Sequence, residues 1–195
     1  APEALFAIGI TIVTYTSRDS SNNPATSSFN VTVTDNQSPV FNNCPSNITQ
    51  GNDVGQCGAI VNWTLPTATD NCLLNPIIAS HSPGDYFPVG TTTITYTVKD
   101  VSGNQSTCTF DITVQDTEDP IITNCPTNIT LDATLNTCGR PVSWTAPSYS
   151  DNCNINSWIF THSPNDVFPV GSTIVKYTAT DDEGNSTECS FTVTI

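Results

Sequence analysis

Residues 35–114 align with residues 116–195 without a gap at a spacing of 81, with 36 identities in 80 positions. A gapless match of that length means two copies of one supersecondary plan, each contacting chiefly its neighbours. Residues 1–34 keep the same register: Gly9, Tyr15, Asp19 and Phe29 stand 81 before Gly90, Tyr96, Asp100 and Phe110. The predicted organisation is therefore the back half of a repeat at 1–34, a full repeat at 35–115 and another at 116–195. The sequence reads as a section of a longer array: were Ala1 a true chain end, the half-repeat's bare strand edges would be a joint that another subunit could complete, and otherwise the array continues upstream.

The cysteines follow the same period. Cys44, Cys57, Cys72 and Cys108 are separated by 13, 15 and 36 residues, and Cys125, Cys138, Cys153 and Cys189 repeat those separations. Short C-x₂₋₄-C pairs, which zinc sites use, do not occur. Disulfides formed in an oxidising, extracytoplasmic compartment are the reading the spacing supports.

Within one repeat the apolar period is two. Val61, Trp63 and Leu65 alternate with Asn62 and Thr64, Ile94, Tyr96 and Val98 alternate with threonines, and Cys108, Phe110, Ile112 and Val114 alternate with polar residues. Asp100–Asn104 separates the last two runs, and Gly103 supplies the positive φ of a hairpin turn. Short strands between Pro, Gly and Asn turns predict an all-β fold, tandem immunoglobulin-like β-sandwich repeats of 81 residues.

Charge removes several functions. Eighteen acidic residues face four cations, Arg18, Lys99, Arg140 and Lys176, for a net charge of −14. Isolated cations cannot neutralise a phosphate backbone or hold an anionic lipid surface, so neither nucleic acid nor membrane surface is an expected partner. No apolar run reaches the roughly 20 residues of a membrane span.

The frame N-C-P-x-N-I-T, then D-N-C, F-P-V-G-x-T, Y-T-x-x-D-x-x-G-N and C-x-F resembles the hyalin repeat (HYR) family. The resemblance covers 35–195 and, more loosely, 1–34, where Ser27 replaces the last cysteine and Ala7 the proline of F-P-V-G. It implies immunoglobulin-like extracellular modules with structural or adhesive roles and no catalysis. Four cysteines allow three pairings, and sequence alone does not choose. In sandwiches of this kind the first and last strands are neighbours, which leads to Cys44–Cys108 and Cys125–Cys189. Cys57–Cys72 and Cys138–Cys153 then follow within each repeat, with pairing between neighbouring repeats or chains as the rival.

Candidate sites are few. The seams Asp35-Asn36-Gln37-Ser38-Pro39 and Asp116-Thr117-Glu118-Asp119-Pro120 resemble the acidic linkers of cadherins. Calcium takes six to eight oxygens and favours clustered carboxylates, so Asp35, Asp116, Glu118 and Asp119 are its candidate ligands, with no other cofactor required. Asp19, Asp100, Asp181 and the Asp-Asn pairs before Cys72 and Cys153 read as side-chain-capped turns. His81 and His162 read as structural. Asn30, Asn36, Asn47, Asn62, Asn104, Asn128 and Asn185 head N-x-S/T sequons, and the hairpin position of Asn104 and Asn185 suggests exposed tips that tolerate a glycan. Tyr86, Tyr149 and Trp158 are candidate sugar-stacking residues, although none has an aromatic counterpart in the other copy.

No nucleophile–base set or phosphate loop occurs, so the chain is expected to be a non-enzyme. The favoured function is a structural segment of an extracellular filament or cell-surface array. Its partners are copies of itself or adjacent repeats. The alternative is an adhesin stalk or a carbohydrate- or receptor-binding module.

Overall fold

The computed structural model describes residues 4–135 and 137–195, and every regular element among them is a strand. No helix there is long and apolar enough to cross a membrane. Tertiary contacts divide the chain into two units. One comprises Ala1–Ser46, Trp63–Ser82 and Ile94–Phe110, and the other comprises Asn47–Asn62, Pro83–Thr93 and Asp111–Ile195.

The long hairpin recurs three times. Gly9–Arg18 pairs antiparallel with Pro24–Val33, from Gly9 opposite Val33 to Arg18 opposite Pro24. Its counterparts are Gly90–Lys99 with Gln105–Gln115, and Ser172–Asp181 with Ser186–Thr194. Gly103 and Gly184 both take φ 94°, the left-handed conformation the turn requires. Each turn is also capped by its aspartate. Asp100 Oδ1 accepts the Asn104 backbone N–H at 2.9 Å and Oδ2 accepts Asn104 Nδ2 at 2.7 Å, a pattern repeated by Asp19 with Asn23 and Asp181 with Asn185.

In both full repeats the hairpin is the centre of a four-stranded sheet. Ile48–Gly51 runs parallel to Gln105–Gln115 on one edge, and Ile78–Ala79 pairs with Gly90–Lys99 on the other. Ile129–Thr130 and Ile155–Phe160 take the same places in the last repeat. Two-stranded pairs supply the remaining strands: Val40–Asn42 with Thr67–Thr69, Gly58–Ile60 with Tyr86–Pro88, and their equivalents Ile121–Thr123 with Ser148–Ser150 and Gly139–Pro141 with Val167–Pro169. The glycine after each second cysteine is explained by this pairing. A Cβ at Gly58 would strike the Phe87 carbonyl oxygen, and one at Gly139 the Phe168 carbonyl oxygen.

The cores are the inward faces of these strands. Ile94, Tyr96, Val98 and Phe110 are buried in the first unit, with Trp63 edge-on to Phe110 at 5.6 Å. In the second unit Val142, Phe168, Val175, Tyr177, Phe191 and Val193 form one cluster, with Trp144 edge-on to Phe191 at 5.3 Å. Tyr15, equivalent to Tyr96, is 65% exposed against 2%, because the front-half strands that cover Tyr96 have no counterpart in residues 1–34.

The disulfides differ from the expected set. Cys44 joins Cys108 and Cys125 joins Cys189, each with Cα atoms 5.9 Å apart. Cys57 does not join Cys72, and Cys138 does not join Cys153. Cys57 instead joins Cys153, Cα–Cα 4.8 Å, across 96 residues, so the second cysteine of one repeat bonds the third cysteine of the next. Cys72 and Cys138 are free thiols.

Candidate functional site: an acidic seam with a covalent staple

The bond from Cys57 to Cys153 is set by the loop that precedes Cys57. Asn52 Nδ2 and the Gly55 backbone N–H both donate to Glu118 Oε1, each at 2.7 Å. Asn52 Oδ1 accepts the Thr117 N–H at 3.0 Å, and the Gln56 carbonyl accepts Asn152 Nδ2 at 3.1 Å. These contacts hold the Asp151-Asn152-Cys153 segment against the loop and bring its thiol to Cys57. Linker sequence, receiving loop and cysteine thus form one joint.

Beside that joint lies a cluster of three carboxylates. Asp116, Asp151 and Asp181 each offer an oxygen within 4.8 Å of the others. Asp181 is fully buried and Asp116 is 4% exposed. Every donor that reaches them is a neutral amide. Asp116 Oδ1 accepts Asn152 Nδ2 at 3.1 Å and the Glu118 N–H at 3.2 Å, Asp151 Oδ2 accepts the Cys153 N–H at 3.0 Å, and Asp181 Oδ1 accepts the Gly184 N–H at 2.6 Å. Asp116 Oδ2 and Asp151 Oδ1 are buried with no hydrogen-bond partner.

That arrangement is costly as it stands. An anionic oxygen removed from water without a donor loses its hydration and gains nothing in exchange. Burial, followed by repulsion from Asp116 and Asp181, raises the Asp151 carboxyl above the usual carboxylate range. Glu183, in the adjoining turn, is also raised, by partial loss of water and then by Asp181, Asp116 and Asp182. An all-oxygen donor set with two unsatisfied oxygens suits a hard divalent cation such as calcium.

The expected ligands are regrouped accordingly. Asp116 belongs to the cluster, but its companions are Asp151 and Asp181 rather than Glu118 and Asp119. The Glu118 carboxylate is occupied by Asn52 and Gly55, and Asp119 lines an adjoining cleft with Gly55, Glu118, Ile121 and Asp151 without joining the three-carboxylate cluster. The aspartates at 151 and 181 read as turn caps, and they do cap turns. Their convergence on residue 116 across 35 and 65 positions leaves no local sequence signal.

The first seam is chemically different. Asp35 meets Asp70 and the free Cys72. A hydrogen bond from the Cys72 thiol holds the Asp35 carboxyl below its ordinary value, with the Gln37 N–H adding to the effect. The same bond, together with burial and nearby carboxylates, pushes Cys72 up to about 11. Asp35 Oδ2 is nonetheless buried with no hydrogen-bond partner, as Asp116 Oδ2 is at the second seam.

The sequons also divide. Asn104 Nδ2, the atom a glycan would substitute, donates to the Asp35 carbonyl at 3.2 Å as well as to Asp100. Asn185 Nδ2 donates to the Asp116 carbonyl at 3.2 Å as well as to Asp181. These tips are interior fasteners rather than exposed acceptors, which corrects the expectation for both. Asn30, Asn36, Asn47, Asn62 and Asn128 are exposed. His162 lies 5.0 Å from the Phe168 ring with Nδ1 on Thr161 Oγ1 at 3.1 Å, and His81 Nδ1 meets Ser80 Oγ at 3.1 Å. Trp158 packs on Tyr149 at 4.6 Å and on Tyr177 at 5.3 Å, while Tyr86 stands apart from that stack in the other full repeat.

Three-fold recurrence, sandwich modules, disulfides and an acidic joint define a tandem array of extracellular β modules. The HYR domain matches residues 1–33, 34–114 and 115–195, and the chain belongs to the HYR domain family. It is 41% identical over 201 residues to "Hyalin" of Strongylocentrotus purpuratus, covering all of this chain and 17% of that protein. It is equally identical to "Hyalin" of Lytechinus variegatus, covering 38% of that protein. A match of 39% over 156 residues links 78% of the chain to 4% of the "Sushi, von Willebrand factor type A, EGF and pentraxin domain-containing protein 1" of Rattus norvegicus. The chain thus spans well under half of the relatives it matches. Among solved structures, extracellular cadherin domains 1–4 of protocadherin gamma B7 align with 96% of the chain and 57% of their own, at 17% identity and a TM-score of 0.36. The three disulfides and the HYR domains place the chain outside the cell.

Proposed function

We propose that this chain is a structural segment of an extracellular filament or cell-surface array whose modules are locked together at their seams. The observation that carries the reading is the Cys57–Cys153 bond, which ties one repeat to the next rather than closing within either. Cross-linking residues 96 apart removes chain entropy worth on the order of 4–5 kcal/mol from the unfolded state. It also restricts the motion of one module against its neighbour, which a load-bearing thread needs and a flexible tether does not.

Calcium is the proposed cofactor, held by Asp116, Asp151 and Asp181. Bound there, it would neutralise the buried charge and draw linker, Asp-Asn-Cys segment and hairpin turn together. The chain's own part is to fix those three side chains by amide hydrogen bonds and to keep the site clear of Lys and Arg. We assign it no catalytic role, and its partners are adjacent repeats or further copies.

A second reading, an adhesin or carbohydrate-binding module, rests on the Tyr149–Trp158 stack, in which Tyr149 is half-exposed. It is confined to one repeat, since Ala68 and Ile77 take these positions in the other. Electron microscopy of the native material distinguishes the two. Short strands at about 3.3 Å per residue predict an axial step of roughly 30–45 Å per repeat in a regular filament. Isolated, irregularly bent strings tethered to cells would favour the adhesin instead.

A further inference from the structure

The two free cysteines occupy positions that are bonded elsewhere in the same structure. Cys138 is the equivalent of Cys57, and Cys72 is the equivalent of Cys153. If the second cysteine of each repeat bonds the third of the repeat after it, a window of two full repeats contains one closed bond and two open positions. The open positions must then be the third cysteine of the leading repeat and the second of the trailing one. Those are Cys72 and Cys138.

Their surroundings agree. The Cys72 backbone N–H donates to Asp70 Oδ2 at 2.8 Å, as the Cys153 N–H donates to Asp151 Oδ2 at 3.0 Å, so the Asp-Asn-Cys segment is already folded in its bonded shape while still a thiol. Cys138 is exposed and opens on a cleft of about 570 Å³ lined by Thr134, Thr137, Gly139, Arg140, Val167 and Pro169. Each repeat's first and last cysteines are occupied by each other, so neither can serve as a partner within its own module.

We infer that Cys138 is the attachment point for the Asp-Asn-Cys cysteine of a further HYR module following in the same polypeptide, and Cys72 that for the second cysteine of a module preceding it. The array would then carry one covalent staple at every seam. This deepens the filament reading and rests on it. Each staple joins two thiols, releasing two protons and two electrons to a disulfide-bearing oxidant, small-molecule or protein, which leaves as two thiols. The receiving loop is not conserved between copies in every respect, since Ala133 stands where Asn52 holds Glu118. The cysteine pairing is thus the part of the joint expected to persist.

The test extends the chain beyond Ile195 with a second copy of residues 115–195, in which Cys138 is replaced by serine and the Asp-Asn-Cys peptide is marked by Ile155→Val. The secreted protein is alkylated and mapped without reduction. The inference predicts the Cys138 peptide cross-linked to the marked peptide, the Cys57–Cys153 bond intact, and Cys138 alkylation falling from complete in the 195-residue chain to background. Replacing the marked cysteine by serine must restore full alkylation of Cys138. A Cys138 that stays free in the extended chain, pairs with another chain or pairs inside its own repeat overturns the inference. So does loss of the Cys57–Cys153 bond, because the rule is read from it. A Cys138 that stays free or pairs elsewhere while Cys57–Cys153 is intact overturns this inference alone, whereas loss of Cys57–Cys153 also removes the observation behind the filament reading, which the axial step by microscopy tests independently.

Discussion

The Trp63 indole N–H donates to the Tyr96 hydroxyl at 2.7 Å, and Trp144 makes the same bond to Tyr177 at 2.8 Å. Both tyrosines are 2% exposed, so each hydroxyl brings a polar atom into the core, where the indole N–H supplies a donor for it. Tyr96→Phe removes the acceptor of that bond, which should cost about 1 kcal/mol. Urea unfolding followed by tryptophan fluorescence checks this, and Trp63→Phe combined with Tyr96→Phe should be less destabilising than the sum of the two.

The buried carboxylates make stability depend on pH and on calcium in a defined direction. The Asp151 carboxyl is raised in the folded state. Its contribution is therefore fully present below the ordinary carboxylate value and is lost as pH rises through the raised one. Asp151→Asn removes that loss. In chelator at pH 7 the variant should be more stable than the parent by roughly 1 kcal/mol, about 2–4 °C in melting temperature at this length. The gap should close as pH falls into the carboxylate range. Added calcium should raise the melting temperature of the parent and leave the variant nearly unmoved.

The free thiols should react at different rates. Cys138 is exposed, whereas the Cys72 thiol is half-buried, bonded to Asp35 and pushed up to about 11. Because the thiolate is the nucleophile, iodoacetamide at pH 8 should label Cys138 well before Cys72. Asp35→Asn should accelerate labelling of Cys72 selectively. Equal rates in the parent would contradict the Asp35–Cys72 bond.

Expression in a glycosylating host should leave Asn104 and Asn185 unmodified in folded protein, since both amide nitrogens are fully engaged. Asn185→Ala should cost about 1–3 kcal/mol through the carbonyl of Asp116 and the carboxylate of Asp181. Intact-mass and site-occupancy measurements on the secreted chain check the first point, and thermal unfolding checks the second.

Much of the fold is legible in the sequence because a period of 81 carries over every strand, turn and cysteine, and because alternation over residues 92–98 and 108–114 has only one local interpretation. The hairpin caps are legible for the same reason, since Asp100 and Asn104 act within four residues of each other. What is lost is anything that joins residues of different repeats. A period states that Cys57 and Cys138 are equivalent without saying whether either looks inward or onward, and closing each repeat on itself was the simpler reading. The carboxylate cluster is hidden by the same distance, because Asp151 and Asp181 have complete local roles as turn caps. The roles of Asn104 and Asn185 are not legible because a hairpin tip is usually solvated, and here the linker carbonyls of Asp35 and Asp116 lie against it.

The central claim is that the seam is covalent. Non-reducing peptide mapping of the 195-residue chain, alkylated before digestion, tests it most directly. The account predicts a Cys57–Cys153 cross-linked peptide with Cys72 and Cys138 both alkylated. Finding Cys57 joined to Cys72 and Cys138 joined to Cys153 would contradict it and return each repeat to a self-contained module.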